Sequence, residues 1–174
     1  MLAPAQLAQM APDAQTYANP GDFAIMSYSG SGDVTGTIQG VDLTLPPPPV
    51  SGSTSGCEAA DFAGFTPGNI ALVQRGTCTF DVKATNAQAA GAITVVVMND
   101  GQPGRTDTLA GTLGEDTTTT IPVVGTSFAV GADLASPAGT VVRVVTSTEI
   151  APKDSQNVLA PLKPKNKKKA GVDN

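Results

Sequence analysis

Two cysteines, Cys57 and Cys78, stand 21 positions apart, too far for a Cys-x-x-Cys redox pair. Their types leave two readings. A structural disulfide would stabilise the fold by roughly 3 kcal/mol on the chain-entropy account and would imply an oxidising compartment; the alternative is a pair of buried free thiols. Histidine is absent from all 174 residues, which removes Ser-His-Asp and Cys-His catalysis as well as His-ligated zinc. Two cysteines alone cannot complete a four-ligand zinc site. Ser and Thr are abundant, but a hydroxyl nucleophile would then need a lysine or carboxylate as its base. Lys83 is the lysine well inside the patterned region, and it reads as a helical surface residue. Asp100, Asp107, Glu115 and Asp116 bracket a Gly-rich stretch and could offer oxygens to calcium. Their spacing matches no calcium loop, so solvated loop charge is the better reading. No catalytic residue, metal ligand or cofactor is expected.

The elements that would position these residues begin in earnest at Cys57. A turn signal, Thr66-Pro67-Gly68, precedes a strand over 69–73. Thr79 is a natural N-cap for a helix over 80–90, with Phe80, Ala84 and Ala87 on one face and Gly91 just past its end. The unbroken apolar run 92–98 has strand length and suits a strand buried on both faces. Residues 99–120 form a long polar loop, of a length that is functional or disordered more often than not. A short strand over 121–126, a helix capped by Ser127, and a strand over 140–145 complete the pattern.

Upstream, residues 1–21 lack sustained periodicity and read as a lead-in. Residues 22–45 read as a hairpin, with strands from Phe23 to Tyr28 and from Val34 to Leu45. Pro46 to Pro49 and the Ser/Gly run through Gly56 read as a stiff, then flexible, connector over the surface rather than as a ligand for a proline-binding module. Residues 151–174 read as a C-terminal linker and Lys-rich tail.

Charge separates along the chain. Five of the ten basic residues are lysines at positions 163, 165, 167, 168 and 169, so residues 1–162 carry five bases against fourteen acids. Such a body repels nucleic acid. No run approaches the roughly 20 apolar residues of a membrane span. The opening MLAPAQLAQMAP lacks the basic start and continuous apolar stretch of a secretory leader, so any leader is expected to be removed or to lie upstream.

Taken together, GCEAADF, NIALVQRGTCTFDVKATNAQAAGAITVVVMND and TIPVVGTSFAVGADL, with Arg75-Gly76-Thr77-Cys78-Thr79-Phe80 at their centre, resemble the protease-associated (PA) domain of secreted peptidases and some sorting receptors. The flanks DFAIMSYSGSGDV, VDLTLPPPP and the Ser155–Ala160 stretch resemble the entry to and exit from the PA insertion of aminopeptidase Y-type zinc peptidases. The resemblance implies a mixed α/β, β-dominated fold: a small, twisted, barrel-like sheet with two peripheral helices. It implies a domain over 22–150 with its core over 57–146, and a family disulfide between Cys57 and Cys78. It further implies a non-catalytic, secreted protein- or peptide-interaction module acting beside the catalytic domain of a zinc aminopeptidase, that domain lying outside this chain. The rim expected to bind peptide comprises Arg75, Gly76, Thr77, Asn99, Asp100, Gly101, Ile121, Pro122 and Val123, with strand edges giving backbone hydrogen bonds. Two other readings remain: a structural or self-assembling extracellular module, and a piece of the parent aminopeptidase.

Overall fold

The computed structural model describes residues 4–44, 52–135 and 139–148. The four-proline stretch, the Ser155–Ala160 stretch and the lysine tail lie outside them. Eight strands run β1 (Gln6–Ala11), β2 (Gln15–Tyr17), β3 (Phe23–Ile25), β4 (Gly32–Gly40), β5 (Ile70–Gln74), β6 (Thr94–Met98), β7 (Val123–Thr126) and β8 (Val141–Thr146). Helix α1 (Phe80–Ala89) separates β5 from β6, and α2 (Phe128–Ala135) separates β7 from β8. The strands form one mixed sheet in the order β2-β1-β8-β4-β5-β6-β7-β3. It is strand-dominated and twin-helical as expected, but open: β2 and β3 are its edges, and the barrel does not close.

The centre of the sheet explains the apolar run. β6 is buried along its whole length. Because side chains alternate across a strand, Val95 and Val97 join Ala84, Ala87, Phe62 and Phe65 on the α1 side. Val96 and Met98 instead meet Leu134, Val130, Leu7 and Phe23 on the α2 side. β5, β6 and β7 are parallel to one another. A Cβ on Gly131 would sit 2.3 Å from that of Met98, so glycine at this position is what lets α2 approach the sheet. At the start of α1 the Thr79 side chain accepts a hydrogen bond from the Val82 amide, as its type foretells.

Three sequence expectations change. The lead-in holds two strands: β1 pairs antiparallel with β8 and with β2, burying Leu7 and Gln9. The hairpin of 22–45 does not form, because β3 pairs with β7 while β4 lies between β8 and β5. The Ser/Gly run is not a loose connector where it is described. Ser53 and Ser55 are buried, the Ser55 hydroxyl donates to the Val41 carbonyl, and the Gln74 amide donates to that hydroxyl at 3.0 Å.

Candidate functional site

The C-terminal ends of parallel β5 and β6 bring six of the nine expected rim residues together. Arg75 follows β5, and its amide donates to the Met98 carbonyl at 2.9 Å. Its guanidinium Nη1 donates to the Asn99 side-chain oxygen at 3.3 Å. That oxygen also accepts from the Asp100 amide at 3.0 Å, while the Asn99 side-chain nitrogen donates to the Asp107 carbonyl at 2.8 Å. Asn99 is thus a buried bracket that sets the Arg75 head group against the long loop. The other guanidinium donors of Arg75 have no acceptor among the described residues, and the side chain is half-buried at the surface. A half-buried guanidinium with free donors is suited to accept a carboxylate or a peptide carbonyl.

The neighbouring turn is fixed by chain approach. The Thr77 amide donates to the Ser53 carbonyl at 3.0 Å. A Cβ on Gly76 would lie 1.8 Å from that carbonyl oxygen, so glycine is required there for packing. Cys78 is bonded to Cys57 with their Cα atoms 5.8 Å apart, which decides between the two cysteine readings in favour of the disulfide.

Asp100 is not solvated loop charge. It is 2% exposed and forms a forked ion pair with Arg105, Nη2 to Oδ2 at 2.8 Å and Nε to Oδ1 at 3.2 Å. The Gln102 amide adds a bond to Oδ1 at 3.2 Å, and the Gly101 amide donates to the Arg105 carbonyl. These contacts make 99–108 an ordered arch, continued by buried Leu109 and Leu113. Arg105 and Gln74, whose side chain reaches the Thr44 and Asp100 carbonyls, were missed from the sequence. A charged pair five residues apart within a Gly-rich loop was the available signal for the first; nothing local marked the second. Among the described residues no three His, Cys, Asp or Glu side chains come together to hold a metal ion.

Ile121, Pro122 and Val123 lie elsewhere. The Val95 amide donates to the Pro122 carbonyl and Val95 pairs with Val123, so these residues flank the opposite end of β6 from Asn99. Four strand residues at about 3.3 Å each put the two groups about 13 Å apart. Pro122 and Val123 are buried, and the Ile121 and Val123 carbonyls accept from the Gly30 and Met26 amides. The nine expected residues therefore fall in two groups, six at one end of β6 and three at the other, because β7 enters the sheet at the end where β5 and β6 begin.

Lys83 is likewise not on the surface. It is fully buried, its ammonium donates to the Ser55 carbonyl at 2.5 Å, and the Cys57 sulfur lies 3.8 Å away. Burial lowers its pKa to about 8, against the opposing pull of Asp61 and Asp42. The Ser55 hydroxyl beside it is buried and bonded on both sides, so the pair offers no nucleophile to a substrate.

Comparison with known proteins matches residues 41–134 to the family described as the PA domain. The chain belongs to the PA domain family. An aminopeptidase of Pseudomonas aeruginosa is 44% identical over 129 residues, which is 72% of this chain and 23% of the relative. Aminopeptidase Y of Saccharomyces cerevisiae is 40% identical over 84 residues, 45% of this chain and 16% of the relative. The solved zinc aminopeptidase of Bacillus subtilis superposes with a TM-score of 0.60 at 22% identity, covering 84% of this chain and 32% of that one. The PA domain read from Arg75-Gly76-Thr77-Cys78-Thr79-Phe80 and its flanking segments is thus borne out, as is the likeness to zinc aminopeptidases. The chain spans under a quarter of the length of these curated relatives. No helix among its described residues is long and apolar enough to cross a membrane.

Proposed function

We propose that this PA domain is a non-catalytic recognition module that lies beside the catalytic domain of a zinc aminopeptidase and bears on peptide access there. The observation that carries the reading is the confinement of the match: strong identity to an aminopeptidase over 23% of its length, in a stretch of this chain that contains no histidine. Peptide or partner contacts are assigned to the Arg75–Thr77 turn and the Asn99–Gly101 arch, with Arg75 as the polar anchor. Asp100 serves there by holding the arch rather than by touching ligand. Strand addition is the weaker mode, since β2 and β3 are edges of three residues each. The disulfide supports an extracellular or equivalent oxidising setting.

The test is a calorimetric titration of the purified chain with a short-peptide library, repeated with Arg75→Ala, alongside leucine p-nitroanilide hydrolysis with and without zinc. Binding lost in the variant, with no hydrolysis under either condition, is the expected result. Zinc-dependent hydrolysis removed by a chelator would overturn the non-catalytic reading, and peptide affinity indifferent to Arg75→Ala would remove the assigned rim.

A further inference from the structure

A shallow pocket of about 220 Å³ opens between β2 and α2, lined by Gln15, Tyr17, Asp22, Ala129, Val130 and Asp133. It shares no residue with the Arg75 cluster. Tyr17 is 5% exposed, and its buried hydroxyl has no hydrogen-bond partner among the described residues. An orphaned buried hydroxyl is destabilising unless something satisfies it. The pocket is also strongly negative. It carries two carboxylates and no Lys or Arg, and Asp133 stands in the last turn of α2, where the helix carbonyls already concentrate negative charge. Burial first, then Asp133 and Asp22, raise the Tyr17 pKa, which keeps the phenol neutral.

We propose that this pocket binds the ammonium or guanidinium group of a lysine or arginine side chain. The phenol oxygen would accept one N–H, the Asp133 carboxylate would supply the charge, and Ala129 with Val130 would flank the methylene stem. Asp22 is partly committed, its Oδ2 accepting from the Ala18 amide at 2.8 Å, and so adds field more than a fresh contact. The volume falls short of the roughly 300–1,000 Å³ of a drug-sized pocket and suits a side-chain end. Among the described residues no third carboxylate joins Asp22 and Asp133 to form a metal-holding group. The inference stands independently of the peptide-access reading.

The chain has no tryptophan and two tyrosines. In a Tyr28→Phe background, tyrosine fluorescence therefore reports Tyr17 alone. Titration with n-butylammonium and n-butylguanidinium at fixed ionic strength is expected to give a saturable change, with 1-butanol giving none. Asp133→Asn, on an exposed helical position, should weaken either cation by about fivefold, the order expected of one solvent-facing charge pair, with far-UV circular dichroism unchanged. Repeating the titration with Lys163, Lys165, Lys167, Lys168 and Lys169 all replaced by Gln separates the sources: an unchanged midpoint assigns an external side chain, and tighter binding assigns the tail as an intramolecular competitor. Both keep the cation site. A response equal to that of 1-butanol, or one unaffected by Asp133→Asn, overturns it.

Discussion

Raising the pH from 7 to 9.5 should stabilise this domain, and replacing Lys83 with methionine should abolish that gain. In the unfolded chain Lys83 titrates near the ordinary 10.5, whereas burial brings it to about 8 in the folded state. Below pH 8 both states are protonated and the folded state bears the full cost of a buried ammonium, about 3 kcal/mol for a shift of this size. Between pH 8 and 10.5 the unfolded state holds more protons than the folded one, so stability rises with pH. Integrated to pH 9.5, about 2 kcal/mol of the cost is removed. Tyr17 acts in the other direction, because its raised pKa makes the folded state lose stability above about pH 10; readings should stop short of that. Urea denaturation at pH 7.0, 8.0, 9.0 and 9.5 is the assay. With a urea slope of about 2 kcal/mol per molar, the parent midpoint should rise by about 1 M relative to Lys83→Met. Methionine keeps most of the length, one atom short, and removes the charge but strands the Ser55 carbonyl, so the slope with pH, not the stability at pH 7, carries the test. With no free cysteine to exchange, the alkaline points report folding rather than disulfide reshuffling. Parallel midpoints for the two proteins across this range would refute the assignment of a strained, buried ammonium.

Two further outcomes follow from the Arg75 cluster. Arg105→Ala leaves the 2%-exposed Asp100 carboxylate without its ion pair and should destabilise by about 3 kcal/mol, visible as a lowered urea midpoint; Asp100→Asn in the same chain should recover most of it. Gly76→Ala drives a methyl into the Ser53 carbonyl and should lower the melting temperature by several degrees, about 3 °C per kcal/mol lost in a chain of this size, with a melting temperature within 1 °C of the parent counting against the close approach.

The elements that were readable are those whose signal is local. β5, β6 and both helices announce themselves through apolar runs of strand length, a Thr79 cap, a Ser127 hydroxyl that accepts from the Val130 amide, and a glycine after α1. β1 was not readable, because its buried positions Leu7 and Gln9 alternate within a Gln/Ala segment of low strand propensity, and pairing with β8 far along the chain decides its state. The supposed hairpin failed for the same reason: neighbouring strands default to pairing with each other, yet β3 and β4 find partners near residues 124 and 142. Lys83 sat on the correct helix and the wrong face. Helical spacing gave the apolar side through Ala84 and Ala87, but its acceptors come from residues 55–57, whose path no periodicity reveals.

That path also ties together features that look separate in the sequence. The segment 53–57 accepts from Thr77 through the Ser53 carbonyl, from Lys83 through the Ser55 carbonyl and from the Asn86 side chain through the Gly56 carbonyl, and ends in the bond from Cys57 to Cys78. The Arg75–Cys78 turn is therefore held on one side by a strap and a disulfide and on the other by the Asn99 bracket. A ligand bound at Arg75 as proposed would meet backbone that is already ordered, so little of its binding free energy would go to fixing the loop. Loosening the strap by reduction of the disulfide should then weaken such binding even though no sulfur touches the ligand, and should do so chiefly through faster dissociation.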